Sequence, residues 1–522
     1  MGGRTLSGIL SGLPVLSKRG GDPEVSSIVY DSRDAVPGSI FVAMDGVHTD
    51  GHGFIADAVR RGAVAVVHAR PDEGEEWPAR SGAGIEVAYL RVESPRAFLS
   101  PLAAAFHGRP SLSLKVVGVT GTDGKSSTVW FIHQLLSAFG HKSGFLSTVG
   151  FQPGDVVEKN AFRQSTPEAS EVQEMLARMA DLGKEYAVVE ATSHGLSRRM
   201  NRLGDVAFDA AVLTNVTHEH QEFHGSFEQY RSDKANLFRA LDPSLRKADP
   251  ATGRPVEVPR FGVVSVDDPS WEYFAGCTKV PVHTYGMRGA PADLRAQVLT
   301  CDLAGCEYMM DRGGRREKVR VGVPGIFQVE NSLAAVLTAA TLLDKSVFDV
   351  APCCARLAGV KGRMEGVDRG QPFRLIVDYA HTPGAFAKLM PWIRSMTPGR
   401  LIAVFGSAGE RDRAKRPMQG EVASEFCDLL VLADEDPRGE DRTRILEDIA
   451  SGCRGKTRGE DLFLVPDRRE AIRLAVAKAR AGDTILLLGK GHEGSILGAK
   501  GAASWDEREE AEKALNEAGF RP

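Results

Sequence analysis

G-V-T-G-T-D-G-K-S-S-T, from Gly118 to Thr128, is the stretch that decides the fold. An apolar run at 114–117 precedes it, and a helix-like segment at 129–139 follows it. A strand, a glycine-rich turn and a Lys-Ser pair at a helix start form a phosphate cradle, because backbone N–H groups and the helix N-terminus favour anionic oxygens. We expect Lys125 to meet terminal phosphates and Ser126 to help hold Mg²⁺, which predicts nucleoside triphosphate chemistry.

The spacing of this loop differs from that of the usual phosphate loop. The usual motif is G-x-x-x-x-G-K-[ST], whereas only Gly121-x-x-Gly124-Lys125-Ser126 is present here. An ordinary glycine turn between a strand and a helix is the alternative interpretation, and the Lys-Ser ending favours phosphate binding over it.

The composition is that of a soluble protein with several domains. The chain has 522 residues, 42% hydrophobic and 26% charged, which is too long for one ordinary core. A formal net charge of −4 gives no general attraction to nucleic acid or anionic membranes, and no apolar run approaches the length of a membrane span. Seven cysteines without a C-x-x-C pair predict reduced core residues. We therefore expect a cytoplasmic protein with no nucleic-acid partner and no membrane insertion.

Alternating strand and helix patterns predict an α/β protein of three domains. Residues 1–111 should form a small mixed α/β domain, since their apolar runs are short. Residues 112–353 should form a central P-loop mononucleotide-binding domain with a mostly parallel sheet, because the runs at 186–190 and 210–214 are almost continuously apolar.

The last region, residues 354–522, repeats the α/β pattern and is expected to be a Rossmann-like domain. Its predicted strands lie at 375–377, 401–405, 429–432 and 485–488. A segment with helical periodicity at 468–481 separates the last two of these strands.

Polar residues follow two of the predicted central strands, where open α/β sheets place their ligands. Glu190 ends one strand and could ligate Mg²⁺, although a strand-end Glu is more often simply solvated. After the next strand, the segment 218–224 holds three histidines and two glutamates in seven positions, which suggests metal or phosphate chemistry. The spacing is not the H-E-x-x-H of zinc proteases, and no cysteine lies nearby.

Three segments resemble the ATP-dependent Mur ligases of peptidoglycan synthesis. They are the loop itself, E-A-T-S-H-G at 190–195, and L-T-N-V-T-H-E-H-Q-E-F-H-G-S-F-E-Q-Y-R-S-D-K at 213–234. The short loop is typical of that family, in which it reads T-G-T-N-G-K-T or close to it. Here Asp123 replaces the usual Asn, and Ser126 replaces the usual Thr but keeps the hydroxyl.

The resemblance implies roles for residues around the loop. Lys125 matches the phosphate-binding lysine, Ser126 and Glu190 match Mg²⁺ ligands, and His220 matches a histidine near a second Mg²⁺. Lys234 matches a lysine that is carbamylated in many members and then supports that second ion. From the residues alone, Lys234 would be a surface lysine on a helix. The remaining ATP contacts that the resemblance implies are Gly121, Thr122, Asp123, Gly124, Ser127, Asn331, Arg363, Asp378 and His381.

Motifs in the N-terminal half are similar to those of the MurE branch of this family. The segment Y-D-S-R at 30–33 and the segment G-V-H-T-D-G-H at 46–52 resemble its UDP-binding domain. The branch commonly carries an Arg where this chain has Met200, and Arg198 or Arg202 are the candidates to replace it. The residues implied to bind the UDP-linked substrate are Ser32, His48, Thr49, Ser165, Thr166, Thr192 and Arg198.

The C-terminal motifs resemble the amino-acid-binding end of the same branch. G-K-G-H-E at 489–493 is complete, and E-D-P-R at 435–438 stands where members that add meso-diaminopimelate usually show D-N-P-R. Arg438 suits a distal carboxylate, whereas the added negative charge of Asp436 favours a bare ammonium. The choice between meso-diaminopimelate and L-lysine or ornithine stays open. The implied amino-acid contacts are Arg411, Glu435, Asp436, Arg438, Gly489 and Glu493.

The resemblance implies a monomeric ATP- and Mg²⁺-dependent ligase. It would join a diamino acid to UDP-N-acetylmuramoyl-L-alanyl-D-glutamate through an acyl phosphate. A folylpolyglutamate-synthetase-like ligase is the nearest alternative, and the segments at 30–33, 46–52 and 489–493 argue against it. A P-loop ATPase or phosphotransferase is the alternative from another class.

Overall fold

The computed structural model describes residues 4–46, 49–71, 77–160, 162, 164–217, 221–248, 253 and 255–521. Two of the predicted site residues, His48 and His220, lie outside the described residues.

The N-terminal region contains a small, mostly parallel sheet. Its elements are β1 (Arg4–Thr5), α1 (Leu6–Leu10), β2 (Ser17–Arg19), β3 (Glu24–Val25), β4 (Ser27–Val29), β5 (Ser39–Val42), α2 (Ile55–Arg61), β6 (Ala65–His68), β7 (Ala88–Arg91) and α3 (Pro95–Phe106). The strand order is β2-β7-β6-β5-β4, and only β2 is antiparallel to its neighbour. Both β5 and β6 are buried along their whole length, as parallel strands covered on both faces should be.

The central region is built on a second, larger sheet. Its elements are β8 (Lys115–Thr120), α4 (Lys125–Ala138), β9 (Ser143–Ser147), β10 (Gly150–Gln152), α5 (Ala169–Asp181), β11 (Tyr186–Glu190), α6 (Ser193–Leu196), β12 (Ala210–Leu213), α7 (Gln221–His224), α8 (Phe227–Arg239), β13 (Lys247–Ala248), β14 (Pro255–Val256), β15 (Phe261–Ser265), α9 (Trp271–Ala275), β16 (Val282–Gly286), β17 (Leu294–Asp302), β18 (Gly305–Arg312), β19 (Arg315–Val321), α10 (Ile326–Leu342) and α11 (Val347–Val350).

The order of this sheet is β10-β9-β11-β8-β12-β15-β16-β17-β18-β19. The pairs from β9 to β17 are parallel. The first strand in sequence, β8, therefore lies between β11 and β12, and the residues that follow these three strands meet at one carboxyl edge. The predicted strand at 186–190 is observed with the same bounds, and the helix predicted from 129 already begins at Lys125.

The C-terminal region is built on a third sheet, with helices between its strands. Its elements are β20 (Glu365–Gly366), β21 (Arg374–Asp378), α12 (Pro383–Met396), β22 (Leu401–Phe405), α13 (Lys415–Phe426), β23 (Leu429–Leu432), α14 (Arg442–Ala450), β24 (Leu462–Leu464), α15 (Arg468–Lys478), β25 (Thr484–Leu488), β26 (Ser495–Gly498), β27 (Gly501–Ser504) and α16 (Glu507–Glu517). The sheet order is β20-β21-β25-β22-β23-β24, and only β20 is antiparallel to its neighbour. The carboxyl ends of β25, β22 and β23 are therefore adjacent.

The α/β class with mostly parallel sheets is confirmed. The chain divides into two compact units, one holding 1–296, 310–317 and 330–353 and the other holding 297–309, 318–329 and 354–522. The first unit holds both the N-terminal sheet and the glycine-rich loop at 118–128, so it does not separate the first two predicted domains. The three predicted domain boundaries stay a prediction.

Two further features bear on the expectations from composition. Cys301 and Cys306 form a disulfide, whereas the sequence predicted reduced core cysteines; the other five cysteines are not in disulfides. No single helix in the described ranges is long and apolar enough to cross a membrane, and one bent pair, Ile326–Leu342 with Val347–Arg356, reaches that length and composition.

Candidate active site

The loop after β8 turns at two positions that require glycine. Gly121 has a φ of 149°, and a Cβ there would overlap the Thr214 hydroxyl. Gly124 has a φ of 82°, and a Cβ there would overlap the Asn331 side-chain oxygen. Both backbone angles lie in the region that L side chains rarely adopt. The loop backbone therefore packs directly against the end of β12 and against α10.

The end of β12 clamps the loop through hydrogen bonds. The Thr122 amide donates to the Asn215 carbonyl at 2.7 Å, and the Asp123 amide donates to Asn215 Oδ1 at 3.0 Å. The Asp123 carbonyl accepts from Thr214 Oγ1 at 2.6 Å and from Asn215 Nδ2 at 3.1 Å. Gly124 is the N-cap of α4 and offers no side-chain cap, which leaves the first turn of the helix suited to an anion.

Lys125 and Ser127 occupy the first turn of α4. Lys125 is half-buried, and its Nζ donates to the Thr122 carbonyl at 2.8 Å, so the ammonium lies over the loop. Ser127 is buried. On α10, Asn331 Oδ1 accepts from Thr128 Oγ1 at 3.3 Å, which ties α10 to this turn. The structure thus brings the predicted loop residues and Asn331 together.

Glu190 is buried beside the loop rather than solvated, with 3% of its surface exposed. Ser126 Oγ donates to Glu190 Oε2 at 2.9 Å. The amide and the hydroxyl of Thr148 donate to its two carboxylate oxygens at 2.9 and 2.8 Å. Three donors therefore hold the carboxylate, and the two predicted Mg²⁺ ligands Ser126 and Glu190 touch.

Lys234 lies in the core and not on the surface that its helix pattern suggested. It is 2% exposed on α8, because the buried face of this helix covers the sheet at β8. Its Nζ donates to the Gly121 carbonyl at 2.6 Å and lies 4.4 Å from the centre of the Tyr230 ring. The Tyr230 hydroxyl in turn lies 3.0 Å from Thr122 Oγ1. Lys234 and the phosphate-type loop are therefore in direct contact.

Several contacts of this site were not predicted from the sequence. They include the contacts of Thr148 and Tyr230 described above. They also include a buried row of hydrogen bonds, in which His224 Nδ1 lies 2.7 Å from Asp233 Oδ2 and His224 Nε2 lies 3.1 Å from Ser193 Oγ. These bonds join α6, α7 and α8. Ser193 is 31 residues from His224, so no local pattern links them.

The predicted substrate residues fall into separate groups. Thr166 Oγ1 lies 2.8 Å from Thr192 Oγ1 and donates to the Glu190 carbonyl at 3.1 Å, next to half-buried Ser165. Thr192 also caps α6 through the Gly195 amide at 3.2 Å. Ser32 is buried in the turn after β4, and Thr49 is exposed.

The two candidate arginines near Met200 differ in their surroundings. Arg198 is exposed. Arg202 is buried and donates to the Thr166 carbonyl at 2.9 Å and to Glu168 at 2.8 Å. Arg202 is therefore already paired, and Arg198 is the one of the two whose guanidinium faces solvent.

A second group of predicted residues surrounds Tyr379, after β21. The Arg363 guanidinium lies 4.4 Å from the centre of the Tyr379 ring, and His381 Nδ1 lies 3.0 Å from the Tyr379 carbonyl. Asp378 accepts the amides of Met364 and Ala380, both at 2.8 Å. Asp378 thus fastens this segment to the strand end in addition to any ligand role.

A third group lies at the carboxyl ends of β22, β23 and β25. Lys490 is fully buried, and its Nζ donates to Asp436 Oδ1 at 2.9 Å and to Glu493. Burial opposes the charge of Lys490, but these two carboxylates outweigh it and raise its pKa. Asp436 Oδ1 also accepts the Leu497 amide at 2.9 Å. Asp436 and Glu493 therefore share one ammonium, that of Lys490, inside the protein.

Glu435 is the carboxylate of this group without such a partner. It is 8% exposed, and its Oε2 is buried with no hydrogen bond to any described residue. Burial raises its pKa from 4.5 to about 7; Lys415 and Lys490 oppose the shift, and Glu493 and Asp436 add to it. Gly489 lies against this carboxylate with a φ of 99°, and Arg411 is exposed.

Models of one protein family match most of the chain. The Mur ligase family catalytic domain matches residues 24–107, the Mur ligase middle domain matches 119–339, and the Mur ligase glutamate ligase domain matches 362–491.

Individual relatives match over nearly the full length. The UDP-N-acetylmuramyl-tripeptide synthetase of Roseiflexus sp. (strain RS-1) is 48% identical over 96% of both chains. The UDP-N-acetylmuramoyl-L-alanyl-D-glutamate--2,6-diaminopimelate ligase of Geobacillus thermodenitrificans (strain NG80-2) is 35% identical over 98% of this chain and 99% of its own. A solved structure of a UDP-N-acetylmuramoyl-L-alanyl-D-glutamate--2,6-diaminopimelate ligase has the same fold, with a TM-score of 0.63 and 24% identity over 99% of both chains. This chain belongs to the Mur ligase family of ATP-dependent ligases.

Proposed function

We propose that this protein adds a diamino acid to UDP-N-acetylmuramoyl-L-alanyl-D-glutamate in peptidoglycan precursor synthesis. The diamino acid is meso-diaminopimelate, L-lysine or L-ornithine. The observation that carries the proposal is the contact of Ser126, Glu190 and Lys234 with one phosphate-type loop in a chain 48% identical to a tripeptide synthetase. We further propose that the protein acts as a cytoplasmic monomer.

The residues beside the loop fit a magnesium-assisted nucleotide site. Ser126 and Glu190 already gather oxygen atoms of the kind that Mg²⁺ prefers. Carbamylated Lys234 and His220 would complete the ligands of a second ion. Carbamylation replaces an ammonium by an anion whose nitrogen keeps a single N–H, so the present bond from Lys234 to the Gly121 carbonyl would no longer be charge-assisted. When bound, Mg²⁺ neutralises charge on the phosphates.

The proposed reaction has two steps, in which first a carboxylate and then an amine acts as the nucleophile. The glutamate carboxylate of the dipeptide attacks the γ-phosphate of ATP, and ADP leaves. The α-amine of the diamino acid then attacks the carbonyl carbon of the acyl phosphate, and the tetrahedral intermediate expels phosphate. Lys125 and the amides at the start of α4 stabilise phosphate charge throughout. Arg363 is a further candidate to stabilise it.

The UDP-linked substrate would use the N-terminal residues named above. Thr166 and Thr192 lie beside the Glu190 carbonyl, which supports a role for them close to the reacting carboxylate. Arg198 would supply the cation that the branch usually carries at the position of Met200.

Release of ADP tests this proposal directly. We expect release to need both UDP-N-acetylmuramoyl-dipeptide and a diamino acid, measured by a coupled assay with each component omitted in turn. ATP turnover without the UDP-linked substrate would contradict it and would favour a P-loop ATPase. Turnover with a folate and glutamate would favour a folylpolyglutamate-synthetase-like ligase.

The role of Lys234 has its own test. Lys234→Ala should abolish ligation, because it removes the group to be carbamylated, and short-chain carboxylates should restore part of the rate. Lys142→Ala is the matched control, since Lys142 is exposed. Full activity of Lys234→Ala would overturn the carbamate role.

A further inference from the structure

A cavity of about 410 Å³ lies at the amino edge of the central sheet. Residues of three segments line it, 243–246, 256–260 and 279–281, and the last two of these segments end just before β15 and β16 begin. These strands run parallel to β12 and β8, so the cavity is at the opposite edge of the sheet from the glycine-rich loop. Its volume is that of a site for a small organic molecule.

Apolar side chains form part of the cavity wall. Val258 and Val280 are buried, each with 7% of its surface exposed, and Leu245 and Val256 are half-buried. A wall of this kind suits the apolar part of a ligand, because the ligand then removes its own apolar surface from water.

The charged residues of the lining are mostly positive. They are the cations Arg246, Arg260 and Lys279 and the carboxylate Glu257. Arg246, Lys279 and Glu257 are exposed, so water already solvates these three groups. The excess of cations over carboxylates gives the cavity a positive potential, which favours an anion.

Arg260 is the lining cation that is buried without a hydrogen-bond partner for part of its guanidinium. Its side chain is 10% exposed, and its nearby carboxylate, Asp209, places Oδ1 3.6 Å from Nη2, which is too far for a hydrogen bond. Neither that oxygen nor Arg260 Nε has a hydrogen-bond partner among the described residues. Burying a guanidinium in this way is costly unless another group pairs with it.

Asp209 cannot neutralise Arg260 alone, because it already serves a second buried cation. Lys247 Nζ donates to Asp209 Oδ2 at 2.5 Å, and the Val116 amide donates to the same oxygen at 2.7 Å. Asp209 and Lys247 are both buried. One carboxylate thus stands beside two buried cations, and an anion in the cavity would supply the second negative charge.

We propose that this cavity is a binding site for a phosphate monoester with an apolar body, separate from the nucleotide loop. The planar guanidinium of Arg260 matches the oxygens of a phosphate, and an arginine pairs with them more specifically than a lysine does. A phosphate monoester carries between about 1.5 and 2 negative charges at pH 7, which balances the excess of cations in the lining. The proposal goes beyond the ligase function and does not depend on it.

Phenyl phosphate is the probe for this site. It is titrated calorimetrically into the full-length protein with Mg·ADP and UDP-N-acetylmuramoyl-dipeptide in excess, so that the proposed substrate sites are filled. Phenyl phosphate should bind at least about tenfold more tightly than inorganic phosphate, because its ring is buried against the apolar wall. Phenol, which lacks the charge, should also bind at least about tenfold more weakly than phenyl phosphate. Loss of all phenyl phosphate binding in the presence of the two substrates would place the probe in their sites and overturn the inference.

Variants of the lining locate the bound phosphate. Arg260→Gln should weaken phenyl phosphate binding by about tenfold or more, since a charge-assisted hydrogen bond is lost. Lys279→Gln should weaken it about threefold, and Glu257→Gln should tighten it about threefold, because both side chains are exposed and their charges are screened. Lys142→Gln is the matched control, since Lys142 is exposed just before β9 at the same edge of the sheet, and it should leave the affinity unchanged.

The opposite shifts of Lys279→Gln and Glu257→Gln decide the test even if Arg260→Gln does not fold. An affinity that stays at the wild-type value in both of these exposed variants would overturn the inference. An equal loss in Lys142→Gln and Lys279→Gln would do so too, because it would reduce the effect to the net charge of the protein.

Discussion

Glu190 and Glu435 are two glutamates in similar positions of their sheets that differ in their hydrogen-bond partners. Both lie at the carboxyl edge of a mostly parallel sheet, and both are buried. Three donors from Ser126 and Thr148 hold Glu190, whereas Glu435 Oε2 has no hydrogen bond to any described residue. Hydrogen bonds within the protein thus hold the first carboxylate, whereas one oxygen of the second is left without a donor. A buried carboxylate can therefore be either fixed by donors of the protein itself or available for a donor from a ligand.

Removing the charge of Glu190 should have the largest effect. Glu190→Gln keeps the size of the side chain but loses the anionic oxygens offered to Mg²⁺, so ADP release at saturating substrates should fall by about 10³-fold. Glu435→Gln, the matched change in the other region, should lose far less in kcat when the acceptor is in large excess. A loss of less than about tenfold for Glu190→Gln would place this carboxylate outside the chemistry.

Alanine substitutions of Gly124 and Gly489 should affect different ligands, the nucleotide in the first case and the acceptor in the second. Gly124→Ala forces a Cβ onto Asn331 at a φ of 82°, and nucleotide affinity by titration should fall by about 100-fold. Gly489→Ala, at a φ of 99°, places a Cβ 3.2 Å from Glu435 Oε2 and should raise the acceptor KM about tenfold. Nucleotide affinity should stay unchanged in Gly489→Ala; equal effects of both changes on nucleotide binding would erase the distinction.

The same Glu→Gln change should alter stability with opposite signs. At Glu190 it removes charge-assisted hydrogen bonds and should lower the free energy of unfolding by about 1–3 kcal/mol. At Glu435 the folded pKa of about 7 exceeds the ordinary 4.5, so the native state binds more protons and loses stability as pH rises from 4.5 to 7. Glu435→Gln should therefore gain up to about 3 kcal/mol at pH 8 and under about 1 kcal/mol at pH 5. Denaturant unfolding of each variant and the wild type at both pH values measures this, and equal signs at the two sites would contradict it.

The smallest effect concerns pH and the acceptor. Ionised Glu435 is the form that attracts an ammonium, so the preference for lysine over norleucine should rise about tenfold between pH 6 and pH 8. The charged groups that face Glu435 and tune this change are Lys415, Lys490, Glu493 and Asp436. In Glu435→Gln the preference should not vary with pH, and a parallel rise in that variant would assign the titration to another group.

Local sequence patterns predicted the positions of the strands well and the burial of polar side chains poorly. Apolar runs such as 401–405 and 429–432 become strands with the same bounds, because a strand buried on both faces is apolar throughout. The contact of Thr148 with Glu190 depends on the pairing of β9 with β11, which no local pattern records. The burial of Lys234 depends in the same way on packing between distant elements, which its helix alone does not encode.

The charges in the proposed amino-acid site show the same limit. The sequence shows the added carboxylate of Asp436 but not its bond to Lys490, 54 residues later. Motifs could name the candidate residues, whereas the pairing of their charges depends on contacts between residues that are distant in the sequence.

The central position of β8 has a consequence for how the protein is made. Its partners β11 and β12 follow it in the chain, and the clamp on the loop joins Asp123 to Asn215, 92 residues later. At a synthesis rate of about 5–20 residues per second, the loop waits roughly 5–20 s for that clamp. Contacts between such distant residues also form slowly, because a long segment must be ordered first. A nascent chain that ends before Asn215 has the glycines of the loop but cannot yet hold its shape.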